Sequence, residues 1–173
     1  ELGVVPSLDR LLIREGANLQ VGPRFQTQSG PGVSMLALFS DREGDGDQDL
    51  LVPSLRGGFG MAPTAFYRNT GAEDLGERFE DDADVVYADL PVSGMGLDSA
   101  DLNGDGQMDY CISDLNRLQC LLSSDSGTFS ESASSLGLVL PTMEVDQGWS
   151  GWSLDFVDLD NDAALDVVAA GGT

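Results

Sequence analysis

Histidine and lysine are both absent from this 173-residue chain. Without imidazole the commonest general base is missing, and without an ε-amine there is no Schiff-base nucleophile. No Gly-Lys-Ser/Thr phosphate loop occurs, and no serine stands in a nucleophile-elbow context. Positive charge is scarce: eight arginines face 30 Asp and Glu, for a formal net charge of −22. Such a balance repels nucleic acid and anionic membrane surfaces, so a charge-steered partner is expected to be basic or cationic. The acidity also suffices as a solubility device. No apolar run approaches the roughly 20 residues that span a bilayer. Residues 1–20 lack a signal peptide's basic-then-apolar layout, and the chain opens on Glu1. The expectation is a removed leader or a piece of a longer chain.

What is present is a recurring acidic loop. In Asp101-Leu-Asn-Gly-Asp-Gly-Gln-Met-Asp109, oxygen-bearing side chains fall at relative positions 1, 3, 5 and 9, with glycine at 6. Alternate residues of a tight loop converge on one point, and the glycine lets the backbone turn back. Position 7 then offers a main-chain carbonyl. These are hard oxygen donors, several anionic, with no imidazole or thiolate. That set favours Ca²⁺ over zinc or copper, and over magnesium, which keeps its waters. The register recurs as Asp41, Glu43, Asp45 and Asp49 with Gly46, and as Asp158, Asp160, Asp162 and Asp166 with Ala163 in the glycine's place. Asp47, Gln107 and Ala164 hold position 7. The bland alternative is three acidic surface turns, since Asp, Asn and Gly are ordinary turn formers. Three loops in one register, starting 60 and then 57 residues apart, favour metal. Up to three Ca²⁺ would bring the net charge to about −16.

A period of this size signals a repeat architecture. Around the second loop, Gly94 to Ala100 enters as a strand and Asp109 to Ser113 leaves as another. Arg117 to Leu122 and Thr128 to Ser132 follow as strands three and four. Around the first, Val33 to Ser40, Asp49 to Val52, Ala65 to Asn69 and Arg78 to Glu80 repeat the order. The third shows only its first half, Trp152 to Val157 and Leu165 to Ala169. At the N-terminus, Arg10 to Arg14 and Arg24-Phe25 read as strands three and four of a preceding unit, with Phe25, Phe79 and Phe129 in matching places. Four short strands per unit is the pattern of a propeller blade. The expected fold class is therefore all-β, a β-propeller of four-stranded antiparallel blades with about three blade equivalents present. Residues 1–32 would be the end of one blade, 33–90 and 91–147 whole blades, and 148–173 the start of another. Three fall short of a closed ring, so a larger parent chain or completion by other subunits, a homo-oligomer included, is expected. Helices are nearly absent from this reading, 136–150 reads as a loop between blades, and the acidic run Phe79 to Asp84 as solvated surface.

Cys111 and Cys120 lie on consecutive strands whose hairpin tip is Leu115-Asn116, which sets them opposite each other and favours a disulfide over two buried thiols. Asp98 and Asp155, each three residues before a first ligand, either line a central channel or are hydrogen-bonded at a strand edge.

Gly94-Met-Gly-Leu-Asp-Ser-Ala-Asp-Leu-Asn-Gly-Asp-Gly-Gln-Met-Asp-Tyr110 and Gly151-Trp-Ser-Leu-Asp-Phe-Val-Asp-Leu-Asp-Asn-Asp162 resemble the FG-GAP/VCBS repeat. The Gly-Met-Gly and Gly-Trp lead-ins, with Phe-Tyr-Arg-Asn-Thr-Gly71 and Arg-Phe79, are most similar to the ASPIC/UnbV and cartilage acidic protein group; integrin α propellers are more distant. The resemblance implies a calcium-stabilised propeller, secreted, periplasmic or on the cell surface, used for adhesion or assembly. It transfers ligand roles to the loop positions named above, with Glu43 longer than the usual Asp or Asn and Ala163 replacing glycine as departures. The expected function is a non-enzymatic calcium-binding module for a protein or glycan ligand or for other subunits of an assembly, with no direct membrane insertion. The rival expectations are the accessory or substrate-binding part of a secreted hydrolase or lyase, and a structural subunit of a membrane or filament complex.

Overall fold

Runs of four or five mostly apolar residues, broken by Gly-, Ser- and Asp-rich turns, are too short for helices and suit buried strands. A computed structural model describes residues 10–25, 33–55, 62–140 and 148–173, and these residues form strands and turns with no helix. The strands are β1 (Arg10–Glu15), β2 (Asn18–Arg24), β3 (Leu38–Ser40), β4 (Asp49–Val52), β5 (Ala65–Asn69), β6 (Phe79–Asp81), β7 (Gly96–Ala100), β8 (Asp109–Ser113), β9 (Leu118–Ser123), β10 (Phe129–Glu131), β11 (Ser150–Val157) and β12 (Asp166–Gly172). They make two four-stranded antiparallel sheets, β3-β4-β5-β6 and β7-β8-β9-β10, and two hairpins, β1-β2 and β11-β12.

The central strands explain how these layers stack. β4 and β8 are buried along their whole length, so each presents core residues on both faces. In the first sheet Leu51 pairs with Phe66, and their face meets Tyr110 and Leu121 of the second. The opposite face, Leu50, Val52, Ala65 and Tyr67, packs on Phe25 and Leu11 beside the first hairpin. The second sheet turns Cys111, Cys120 and Leu118 toward Trp149 and Leu154 of the last hairpin. The hairpin, two sheets and hairpin thus stack face to face in chain order. An aromatic knot ties the middle: Phe66 and Tyr110 meet edge to face at 5.2 Å, and Phe129 lies 5.7 Å from Phe66. Phe66 has no exposed surface, and truncating such a ring costs about 3–5 kcal/mol.

Polar bonds cross the layers as well. Tyr110 Oη donates to Ser40 Oγ at 2.9 Å, and burial pushes the phenol up to about 12. Asp98 accepts the Phe156 N–H at 2.8 Å, stitching β7 to β11. That is the strand-edge role, while Asp155 is exposed and receives the Ser153 hydroxyl at 3.3 Å. Gly96 sits where these strands approach: a Cβ there would lie 2.6 Å from both Ser113 Oγ and the Ser153 carbonyl carbon.

Several strand limits differ from expectation. The strand expected over 33–40 is interrupted: Ser34 bridges Ser54, a bend follows at Met35, and the ladder resumes at Leu38. The Gly94 N–H bonds to the Ser54 carbonyl just beyond β4, and β7 begins at Gly96. β11 starts earlier, at Ser150, with a register shift between Gly151 and Ser153, and β12 runs on to Gly172. At the N-terminus the turn is Gly16-Ala17, so the second strand is Asn18–Arg24. Phe25 falls beyond it, whereas Phe79 and Phe129 open β6 and β10. The Phe79 to Asp84 run is not merely solvated, because Asp82 is paired with Arg42. Of the loop expected at 136–150, residues 141–147 lie outside the described residues, as do 1–9 and 26–32 of the expected first unit.

Candidate metal centres

The three acidic loops join β3 to β4, β7 to β8 and β11 to β12, the same connection each time. Their local form follows from backbone chirality. Position 6 is left-handed in all three, at Gly46 (φ 94°), Gly106 (φ 85°) and Ala163 (φ 70°). Position 4 is left-handed too, at Gly44 (φ 71°), Gly104 (φ 76°) and Asn161 (φ 60°). Glycine takes this conformation freely and asparagine tolerates it, but alanine is strained by on the order of 1 kcal/mol.

Two left-handed residues flanking position 5 aim successive N–H groups inward. In the second loop Asp101 Oδ1 accepts from Asp105 N–H at 3.1 Å and Asp101 Oδ2 from Gly106 N–H at 2.9 Å. Asp105 Oδ1 accepts from Gln107 at 2.8 Å, and Asp109 Oδ2 from Leu102 at 2.9 Å. The first loop repeats these bonds through Asp41, Asp45 and Asp49. The third repeats them through Asp158, Asp162 and Asp166. Positions 1, 5 and 9 are therefore fixed identically by main-chain donors. The Gly106 N–H, with those of Gly104, Asp105 and Asn103, holds the Asp101 carboxyl below its ordinary range.

Position 3 is the variable one. Asn103 Oδ1 accepts the Asp105 N–H and its Nδ2 donates to Asp105 Oδ2, both at 2.9 Å. Asp160 accepts the Asp162 N–H at 3.2 Å. Glu43 instead meets the Arg42 guanidinium, Nε to Oε2 at 3.2 Å. At position 7, Gln107 directs its side-chain amide to Asp125 at 3.2 Å, and Asp47 and Ala164 are exposed. In the third loop, one carboxylate oxygen each from Asp158, Asp160 and Asp166 lie within 4.8 Å of one another, the one set of three acids so placed among the described residues.

Position 9 does a second job that its spacing did not announce. Asp49 Oδ1 accepts the Asn69 N–H at 2.8 Å, and Asp109 Oδ1 accepts both N–H and Oγ of Ser123 at 2.8 and 2.9 Å. Each closes the loop and pins strand three of its sheet. Asp49 and Asp109 are only 1% and 0% exposed. Burial pushes the Asp49 carboxyl up to about 6, with Glu43 adding to the rise. Position 4 and the third-strand bonds were missed in the sequence. The Gly-Asp-Gly triplets at 44–46 and 104–106 carry the first signal, and no local pattern carries the second.

All these donors are oxygens, and a divalent hard cation fits them: it would offset facing carboxylates that nothing else in the loops neutralises, Arg42 aside. The cysteines meet as expected, Cys111 opposite Cys120 in a disulfide with Cα atoms 4.1 Å apart.

Comparison with known families places the same segment. Residues 101–169, from the first position of the second loop into β12, match the family model for an FG-GAP-like repeat. The match covers about two fifths of the chain. No curated protein matches the chain.

Proposed function

From an FG-GAP-like repeat running through the second and third loops, we propose that this chain is part of an extracellular, calcium-stabilised β-propeller that serves as a binding or assembly module. The observation that carries this reading is the shared scaffold of main-chain donors under all three loops. It sets the acids of positions 1, 5 and 9 in one arrangement despite different residues at 3 and 6. Asp41, Glu43, Asp45 and Asp49 would hold one ion, Asp101, Asn103, Asp105 and Asp109 a second, and Asp158, Asp160, Asp162 and Asp166 a third. Position 7 (Asp47, Gln107 and Ala164) would add a carbonyl. The ion's contribution is electrostatic: it offsets repulsion within each loop and secures strands one and two of the sheet. The face-to-face stacking in chain order supports blades of a propeller. The disulfide supports an oxidising compartment, where calcium is also plentiful. A protein, a glycan or another subunit is the expected partner, and the narrower likeness to the ASPIC/UnbV group belongs to this proposal.

Native mass spectrometry after chelator treatment, followed by titration with CaCl₂, tests the reading. Uptake of up to three ions with a rise in melting temperature is expected. No uptake at millimolar calcium would sink it.

A further inference from the structure

The first loop differs from the others at position 2, where it carries Arg42 and they carry Leu102 and Leu159. The Arg42 side chain is 10% exposed and cannot swing freely. Its Nη1 and Nη2 grip both oxygens of Asp82 at 3.0 and 2.9 Å, and its guanidinium carbon lies 4.8 Å from the centre of the Phe66 ring. The Nε–H points at Glu43 Oε2 at 3.2 Å. Its main-chain N–H donates to Asp49 Oδ2 at 2.9 Å, as every position 2 does to its position 9. One residue thus touches two acids of the loop, and only its side chain is peculiar to this copy. A guanidinium stays charged at any relevant pH, and its planar fork suits an acid on each side.

We propose that Arg42 is a built-in counter-ion for the first loop, holding it in form when calcium is absent, so that dependence on calcium is concentrated in the second and third loops. This rests on the reading of the loops as calcium sites. The fixed positive charge stands where those loops have an aliphatic side chain, and it is tethered through Asp82 to the turn after β6. Among the described residues, neither of the other loops has an arginine bound to one of its acids. The long Glu43 then has a reason: its extra methylene lets a ligand position reach the guanidinium beside it.

Amide hydrogen exchange by mass spectrometry, with calcium and with chelator, reads the three loops separately. In the native chain, chelator should speed exchange in 101–109 and 158–166 by about tenfold or more and leave 41–49 nearly unchanged. Arg42→Leu should make 41–49 chelator-sensitive to the same degree, and calcium should restore it. Asp82 also lies 3.8 Å from Arg68, so replacing Arg42 does not strip it of every cation, and a circular dichroism melt checks the variant's fold. Arg42→Lys, read beside Arg42→Met, puts back the charge without the planar fork, and chelator-resistant protection should return with Lys and not with Met; a role in packing alone would not separate the two. Equal loss of protection in all three loops of the native chain, no effect of Arg42→Leu, or no rescue would each overturn the proposal. Three loops that ignore calcium altogether would overturn the calcium reading instead, and the Arg42→Leu result would then decide the role of Arg42 alone.

Discussion

The second and third loops share a hydrogen-bond scaffold and differ in how they are anchored. Asp109 ends the second loop with no exposed surface, one oxygen on Leu102 and the other on Ser123 of β9. Asp166 ends the third loop exposed, holding Leu159 alone, because β12 has β11 as its one neighbour among the described residues. Yet the third loop gathers three acids most closely. Anchoring and convergence are therefore separate properties. The scaffold is common to the loops, an acid at position 3 completes the gathered set in the third, and the third strand decides whether the closing Asp also supports the sheet.

The largest expected effect is loss of calcium. A ligand at a hundred times its Kd stabilises by about 2.7 kcal/mol per site, so stripping three loops would cost about 8 kcal/mol in all. Urea unfolding with and without chelator measures it, and a difference under about 1 kcal/mol would leave the loops as ordinary turns. The next effect separates the two loops directly. Asp109→Ala leaves three half-buried donors without their buried acceptor and should cost about 2 kcal/mol even in chelator, whereas Asp166→Ala should stay within about 0.5 kcal/mol there. Equal losses would break the distinction between anchored and unanchored closing acids.

The two full sheets offer a parallel contrast. Leu51 opposite Phe66 in the first occupies the place of Cys111 opposite Cys120 in the second. A bridge over so short a span stabilises by about 2–3 kcal/mol. Replacing both cysteines with alanine should lower the urea midpoint accordingly, and a thiol titration of the denatured, unreduced chain should find none free. Detecting two would put this pair on the same footing as Leu51 and Phe66.

Legibility in the sequence followed the range of the interaction. The loop registers, the hairpin that opposes the cysteines and the order of four short strands are set by neighbours, so spacing revealed them. Position 4 was equally local and went unread because only oxygen donors were weighed there; Gly44 and Gly104 are conformational, not chemical. The first hairpin turns at Gly16-Ala17 and its second strand starts at Asn18, well before the expected Arg24, since a two-residue turn closes a longer ladder. Arg42 with Asp82 and Asp98 with Phe156 stand 40 and 58 residues apart. Such pairs exist only once sheets have stacked, and no periodicity in one segment reports its partner in another.

The smallest effect tests the backbone of the third loop alone. Ala163 holds φ at 70° where Gly106 holds 85° in the second. Removing its Cβ relieves about 1 kcal/mol of strain, and the greater freedom of glycine in the unfolded chain returns part of that. Ala163→Gly should therefore raise stability by roughly 0.5 kcal/mol, while Gly106→Ala, the same exchange reversed, should lower it by about 0.5 kcal/mol. Opposite signs would show that both loops hold the same left-handed step in solution. A null result for Ala163→Gly beside a loss for Gly106→Ala would mean that the third loop leaves this conformation without its ion; the contrast should then reappear when calcium is added, because a bound cation would again enforce the turn.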